Sequence, residues 1–194
     1  MIQWLRLYHC CVKSQIGKMI IGSHTFKEDI AIFKNDQKEN QKTIEELYQL
    51  KKINKETDMS SNFNGWQKDI NKEKKYENIK NMIVEEFKNY FKTNLNVSII
   101  HLFANINPPG ASHVMHTHQG GQYSGAYWLQ ADKHAGNVIV MNPFINEFVS
   151  NCISIAPEPN TGVFFNSNIV HYVDVNRSKR DRIGFGFHLN ISGD

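Results

Sequence analysis

The chain changes its hydrophobic rhythm once, near residue 96. Before that point apolar residues recur at helical spacing. Ile79, Met82, Ile83, Phe87, Tyr90 and Phe91 form one stripe in the segment 77–95, flanked by Lys and Glu. Positions three and four apart share a helix face, so the stripe predicts an amphipathic helix packed on a larger body. Ile44, Leu47, Leu50 and Ile53 predict an earlier, weaker helix in TIEELYQLKKIN. Between the two, DMSSNFNGW (58–66) is rich in Ser, Asn and Gly and reads as a loop. Beyond residue 96 the texture becomes β-branched and aromatic. VSIIHLFANI (97–106) is broken by Pro108, Pro109 and Gly110, and strand-like runs follow at 124–130, 137–141, 162–166, 169–175 and 182–191. Helices followed by many short strands predict a mainly β domain with N-terminal helices, a jelly-roll-like sandwich or barrel. The expected division is a helical part over about 37–95 and a β core over about 96–192, within one domain spanning 19–194.

Composition narrows the function classes. The 194 residues are 40% hydrophobic and 21% charged, and 22 basic against 19 acidic residues give a net charge of +3. This balance carries no footprint of a nucleic-acid or membrane partner. Cys10, Cys11 and Cys152 are too few and too irregular for a disulfide framework, which suits a reducing cytoplasm. MIQWLRLYHCCV (1–12) is apolar but too short to span a bilayer, and it has neither a basic lead nor a small-residue cleavage site. Met19 begins a more ordinary sequence, so residues 1–18 are expected to be an added extension.

Candidate chemistry is concentrated in GASHVMHTHQGGQYSGAYWLQ (110–130). Side chains alternate across a strand, so His116 and His118 at a strand end point to one side and form a ready metal site. Gly120 and Gly121 allow a sharp turn, starting the next strand beside the pair. His171 follows the apolar run VFFNSNIV and can fold back onto it. In RIGFGFHLN, alternation puts Ile183, Phe185, Phe187 and Leu189 on one face and Arg182, Gly184, Gly186 and His188 on the other. Glycines leave space, and an arginine beside space can grip a carboxylate with two parallel hydrogen bonds. That face reads as the wall of a small-acid pocket, with His188 a possible lining residue. His113 sits an odd step from His116 and is expected to point away, while His101 and His134 read as structural and Cys152 as a small core residue.

The order of these parts resembles iron(II)- and 2-oxoglutarate-dependent dioxygenases. More narrowly, Asn105-Ile-Asn107, Gly110, His116-Thr-His118, Ser124-Gly125-Ala-Tyr127-Trp128-Leu129 and Arg182-Ile-Gly-Phe-Gly-Phe resemble the bacterial and phage 2OG-Fe(II) oxygenases related to prolyl-4-hydroxylase, as does the upstream SNFNGWQ (61–67). The resemblance spans roughly residues 60–190. It implies a double-stranded β-helix with the metal at one mouth. It implies Fe(II), 2-oxoglutarate and O2 as cofactor and cosubstrates, and hydroxylation coupled to decarboxylation of 2-oxoglutarate to succinate. Carried over, His116, His118 and His171 become the iron ligands, with His118 where many members have Asp. Arg182 becomes the partner of the far carboxylate. Trp128 stands where relatives often carry a tyrosine, leaving Tyr127, Tyr123 or Asn105 as substitutes for a hydroxyl that touches the cosubstrate.

Two other classes stay open: a cupin-type three-histidine metalloprotein, such as a thiol dioxygenase or isomerase, and a non-catalytic jelly roll. Against the cupin, Gln122 stands about where its glutamate belongs, and Arg182 has no role there. The primary substrate would meet the polar, irregular stretches 142–160 and 60–66, which do not reveal its identity. The expected location is the cytoplasm of a bacterium, or of the host if a phage encodes the chain.

Overall fold

The computed structural model describes residues 30–35, 40–58, 61–143 and 152–192; the expected extension over 1–18 therefore lies outside the described residues. In chain order these form β1 (Ile30–Lys34), α1 (Asn40–Ile53), β2 (Asn62–Phe63), β3 (Trp66–Asp69), α2 (Glu77–Phe91), β4 (Asn96–Asn107), β5 (Ser112–His116), β6 (Tyr123–Gln130), β7 (Val138–Met141), β8 (Cys152–Ile155), β9 (Thr161–Asn166), β10 (His171–Val173) and β11 (Arg182–Ser192). Both helices fall where the apolar stripes place them, but Ile53 and Tyr90, at the C-terminal ends of those stripes, are exposed. α2 ends because Lys92 turns left-handed, at φ 49°, and its N–H donates to the Lys88 carbonyl.

The strands make two antiparallel sheets. One has six strands in the order β1-β9-β6-β11-β4-β3, the other five in the order β2-β5-β10-β7-β8. Trp128, Val163 and Phe165 from the first meet Val138, Val140 and Ile155 from the second in a buried cluster between the sheets. This is the double-stranded β-helix expected from the sequence. The barrel is a correction: among the described residues the sheets remain separate and do not close on one another.

The outer face of the six-stranded sheet would be exposed apolar surface without the helices. Ile44 and Leu47 of α1 and Ile79, Met82, Ile83 and Phe87 of α2 join Tyr127, Phe164, Phe185 and Phe187 in the larger core cluster. Phe87 packs edge-on against Phe164 and Tyr123, with ring centroids 5.3 and 5.0 Å apart. Burying such a side chain contributes about 1.5–3 kcal/mol, so the helices clamp the sheet that carries half of the site.

The segment 58–66 departs from its loop reading. Asn62 and Phe63 pair with β5, and Trp66 and Gln67 pair with Ile106 and Asn105 of β4. Trp66 is buried, and its Nε1 donates to the Asn54 carbonyl at 2.7 Å. Local composition does not encode edge pairing, which depends on a partner far along the chain. β8 likewise appears inside the stretch that reads as irregular, and β1 was not anticipated.

Candidate metal and carboxylate site

His116 closes β5 and lies directly opposite His171, the first residue of β10. His118 comes two residues after β5, and its backbone N–H donates to the Ser167 carbonyl at 3.0 Å, which pulls this turn against the start of β10. Gly120, at φ 92°, then reverses the chain as the Gly pair implied. The result is a cluster of three imidazoles. Ring centroids are 4.3 Å apart for His116 and His171, and 4.8 Å for each of them and His118. One nitrogen of each ring lies within 4.8 Å of the others.

Second contacts orient two of these rings. The Nδ1 of His116 is 2.6 Å from the Val114 carbonyl, and that of His171 is 2.9 Å from the Ile169 carbonyl. A carbonyl only accepts, so each neutral ring carries its proton on Nδ1 and leaves the Nε2 lone pair for a ligand. Burial holds the cluster neutral. Desolvation, then the charges of neighbouring histidines, pushes His118 down to about 2. Desolvation likewise brings His171 down to about 4 and lowers His116, with the backbone hydrogen bonds opposing in both cases. Three convergent neutral imidazoles fit a divalent transition metal.

These rings line a cavity of about 90 Å³ between the sheets, with Trp128 and Phe165 in its apolar wall. Arg182 lines the same cavity and is buried, 3% exposed. Its Nη1 donates to the Ala135, Gly136 and Asp174 carbonyls, whereas its Nη2 is buried with no partner. A buried guanidinium nitrogen without an acceptor costs free energy, and an entering carboxylate removes that cost. Desolvation lowers the Arg182 pKa to about 10, with Asp174 opposing, so it remains cationic at neutral pH. The alternation of β11 holds: Arg182, Gly184, Gly186 and His188 line the cavity. The two glycines differ in purpose. A Cβ at Gly184 would lie 2.2 Å from the Tyr127 carbonyl, while at Gly186 it would meet only ordinary contacts beginning with Asn105 Nδ2 at 3.4 Å. Gly184 permits close strand approach, and Gly186 leaves room.

Of the further cosubstrate contacts, Asn105 lines the cavity, and its Oδ1 is buried without a partner. Tyr127 is a correction. On β6 it alternates with the cavity-lining Ala126 and Trp128, so its ring faces the helices, stacked on Phe33 at 5.9 Å, and its hydroxyl donates to the Asn35 carbonyl at 2.9 Å. Tyr123 packs against Phe87 and Phe91 on the same side.

His113 is also a correction, since it lines the cavity. His171 pairs with His116 but Val173 pairs with His113, two residues on β10 against three on β5. This bulge resets the alternation, and nothing in the local sequence marks it. Desolvation, then the charge of Arg182, pushes His113 down to about 3. His188 packs against His118, with ring centroids 4.1 Å apart, and its Nδ1 is buried without a partner. Gln67 and Asn107, with orphaned amide oxygens, were missed as lining residues. Their membership follows from the pairing of Gln67 with Asn105 and of Arg182 with Asn107, which only the sheet register reveals.

The family model described as "Putative 2OG-Fe(II) oxygenase" matches residues 101–188, the span that holds all three clustered histidines and Arg182. Residues 101–188 are thus similar in sequence to the 2OG-Fe(II) oxygenase family. Oxygenases of this family depend on Fe(II), 2-oxoglutarate and O2, and the three-histidine cluster fits iron. Among solved structures, the fold is similar to a Pseudomonas putida prolyl-4-hydroxylase (13% identity, 85% of this chain and 94% of that chain, TM-score 0.63). It is also similar to a viral collagen prolyl hydroxylase from Paramecium Bursaria Chlorella virus-1 (13%, 83% and 95%, TM-score 0.60). A third similar fold is the non-heme alpha-ketoglutarate-dependent carbocyclase SnoK from nogalamycin biosynthesis (9%, 86% and 81%, TM-score 0.66). At these identities the likeness is one of fold. Among curated proteins none matches this chain in sequence.

Proposed function

We propose that this oxygenase is a hydroxylase in which His116, His118 and His171 hold Fe(II) and Arg182 holds the far carboxylate of 2-oxoglutarate. The observation that supports it is the convergence, in one cavity, of three imidazoles with a buried arginine whose Nη2 has no partner. When bound, the iron and cosubstrate supply the oxidising chemistry, coupling decarboxylation of 2-oxoglutarate to succinate with oxidation of a second substrate.

The protein's own part is binding and exclusion. The Val114 and Ile169 carbonyls fix the tautomers of His116 and His171, so no rearrangement is needed on loading. The carbonyls of Ala135, Gly136 and Asp174 hold one arm of Arg182 and so aim the other. Asn105, which lines the same cavity with an unpartnered Oδ1, supplies a further polar group. Trp128 and Phe165 keep water from the bound acid. The cupin-type reading gives Arg182 no task, so the free Nη2 favours the 2-oxoglutarate reading. No helix among the described residues is long and apolar enough to cross a membrane, and the proposed location is the cytoplasm.

His116→Ala and His171→Ala, each measured for iron content after anaerobic reconstitution, should lower occupancy at least ~10-fold, as losing a ligand would. Full iron content in both variants would remove the proposed centre.

A further inference from the structure

The charge of the cavity is unbalanced. No Asp or Glu is among the described residues that line it. Among the described residues, the carboxylates that act on Arg182 and His188 are Asp174, beside Arg177 at 3.9 Å, and Asp69, beside His101 at 3.2 Å, both on partly exposed side chains. Water and salt screen such groups. If the centre is loaded as proposed above, on which this inference rests, a divalent ion on three neutral imidazoles joins the Arg182 cation. Bound 2-oxoglutarate, a dianion, leaves one positive charge that the described lining residues meet only with neutral groups. A net charge taken out of water is unfavourable unless it is paired.

The cavity also has a place for the missing charge. Arg182 opens β11, and His188 lies further along the same cavity-facing row, beyond Gly184 and Gly186. A cosubstrate anchored on Arg182 leaves the His188 end vacant for a second molecule. There the Nδ1 of His188 is buried and unpartnered, while its ring rests on His118. In either protonation state an imidazole offers an N–H donor, and none of the other described lining residues supplies an anion for it.

We propose that the primary substrate carries a carboxylate or comparable monoanion, which seats at the His188 end and completes the charge balance left by the all-histidine centre. The carbon to be oxidised then lies close to an acidic group that the protein grips directly.

The test uses Co(II)-loaded protein saturated with 2-oxoglutarate, read by the visible Co(II) spectrum and by calorimetry. Acetate and acetamide are the probes, being nearly the same size and differing in charge. Acetate should bind at least ~10-fold more tightly than acetamide, the scale of one charge-assisted hydrogen bond. His118→Asp, which places a carboxylate in the centre, should reduce that preference to less than about 3-fold while retaining Co(II). His188→Phe, which keeps a ring against His118 but removes the donor, should weaken acetate by a larger factor than acetamide, whose neutral carbonyl accepts a weaker hydrogen bond. Equal affinity for the two probes in the unmodified protein, with Co(II) and 2-oxoglutarate both bound, overturns this inference alone. Failure to bind Co(II) at all overturns it together with the proposed centre.

Discussion

Replacing Arg182 with lysine separates recognition of the cosubstrate from construction of the metal centre. The two arms of Arg182 differ: Nη1 is occupied by three backbone carbonyls, and Nη2 is buried without a partner on a residue that lines the cavity. A lysine keeps a point charge but has no fork, so it cannot hold those carbonyls and a carboxylate in the same planar geometry. Losing one charge-assisted hydrogen bond to the carboxylate costs about 1.5–3 kcal/mol, or roughly 10- to 100-fold in affinity. The carbonyls left with poorer partners should add a stability loss of about 1–3 kcal/mol. Calorimetric titration of 2-oxoglutarate into Co(II)-loaded protein measures the first effect, Co(II) titration supplies the control, and urea unfolding measures the second. Unchanged 2-oxoglutarate affinity, or Co(II) affinity falling by the same factor, would show that Arg182 is only a structural residue.

Further outcomes follow from the same contacts. Tyr127→Phe should cost about 1 kcal/mol through the lost bond to the Asn35 carbonyl and leave 2-oxoglutarate affinity within about 2-fold, as unfolding and binding titrations will show. Phe87→Ala should cost about 3–5 kcal/mol in urea unfolding, because its ring holds α2 to Phe164 and Tyr123; a loss under about 1 kcal/mol would mean the helix is not clamped there. The metal-free protein should lose stability as pH falls from about 6.5 toward 4. In that window the unfolded chain takes up protons that folded His171 and His188, both depressed to about 4, and His113, depressed to about 3, refuse. Each ring contributes a slope of up to about 1.4 kcal/mol per pH unit, none of it above the ordinary histidine pKa. A urea midpoint equal at pH 7 and pH 5 contradicts this.

What the sequence made legible were the features that depend on local periodicity. The alternation of β11 and the α2 stripe through Ile79, Met82, Ile83 and Phe87 appear in the fold as their spacing implies, because one face of each is buried in the same core, whereas Tyr90, at the end of that stripe, is exposed. His116, His118 and His171 come together because a strand end, a Gly turn and a following strand leave few ways to arrange them. The errors share another cause. His113 enters the cavity through a bulge in the β5–β10 pairing, and Tyr127 leaves it because β6 presents Ala126 and Trp128 instead. Both depend on register, which is set by partners far away in the chain. Gln67 and Asn107 were overlooked as lining residues for the same reason: each belongs to a segment that carries the family resemblance, but its place in the cavity comes from a cross-strand neighbour, Asn105 or Arg182.

The most direct measurement is an anaerobic titration of the metal-free protein with Fe(II), followed by 2-oxoglutarate, watching for the visible charge-transfer band of a chelated 2-oxo acid. One equivalent of Fe(II) on the imidazole cluster, with the Nη2 of Arg182 donating to the far carboxylate, predicts a band that grows with 2-oxoglutarate and is lost in Arg182→Ala. Fe(II) bound with no band at saturating 2-oxoglutarate would contradict the assignment of this cavity to 2-oxoglutarate, and no Fe(II) binding would contradict the metal centre itself.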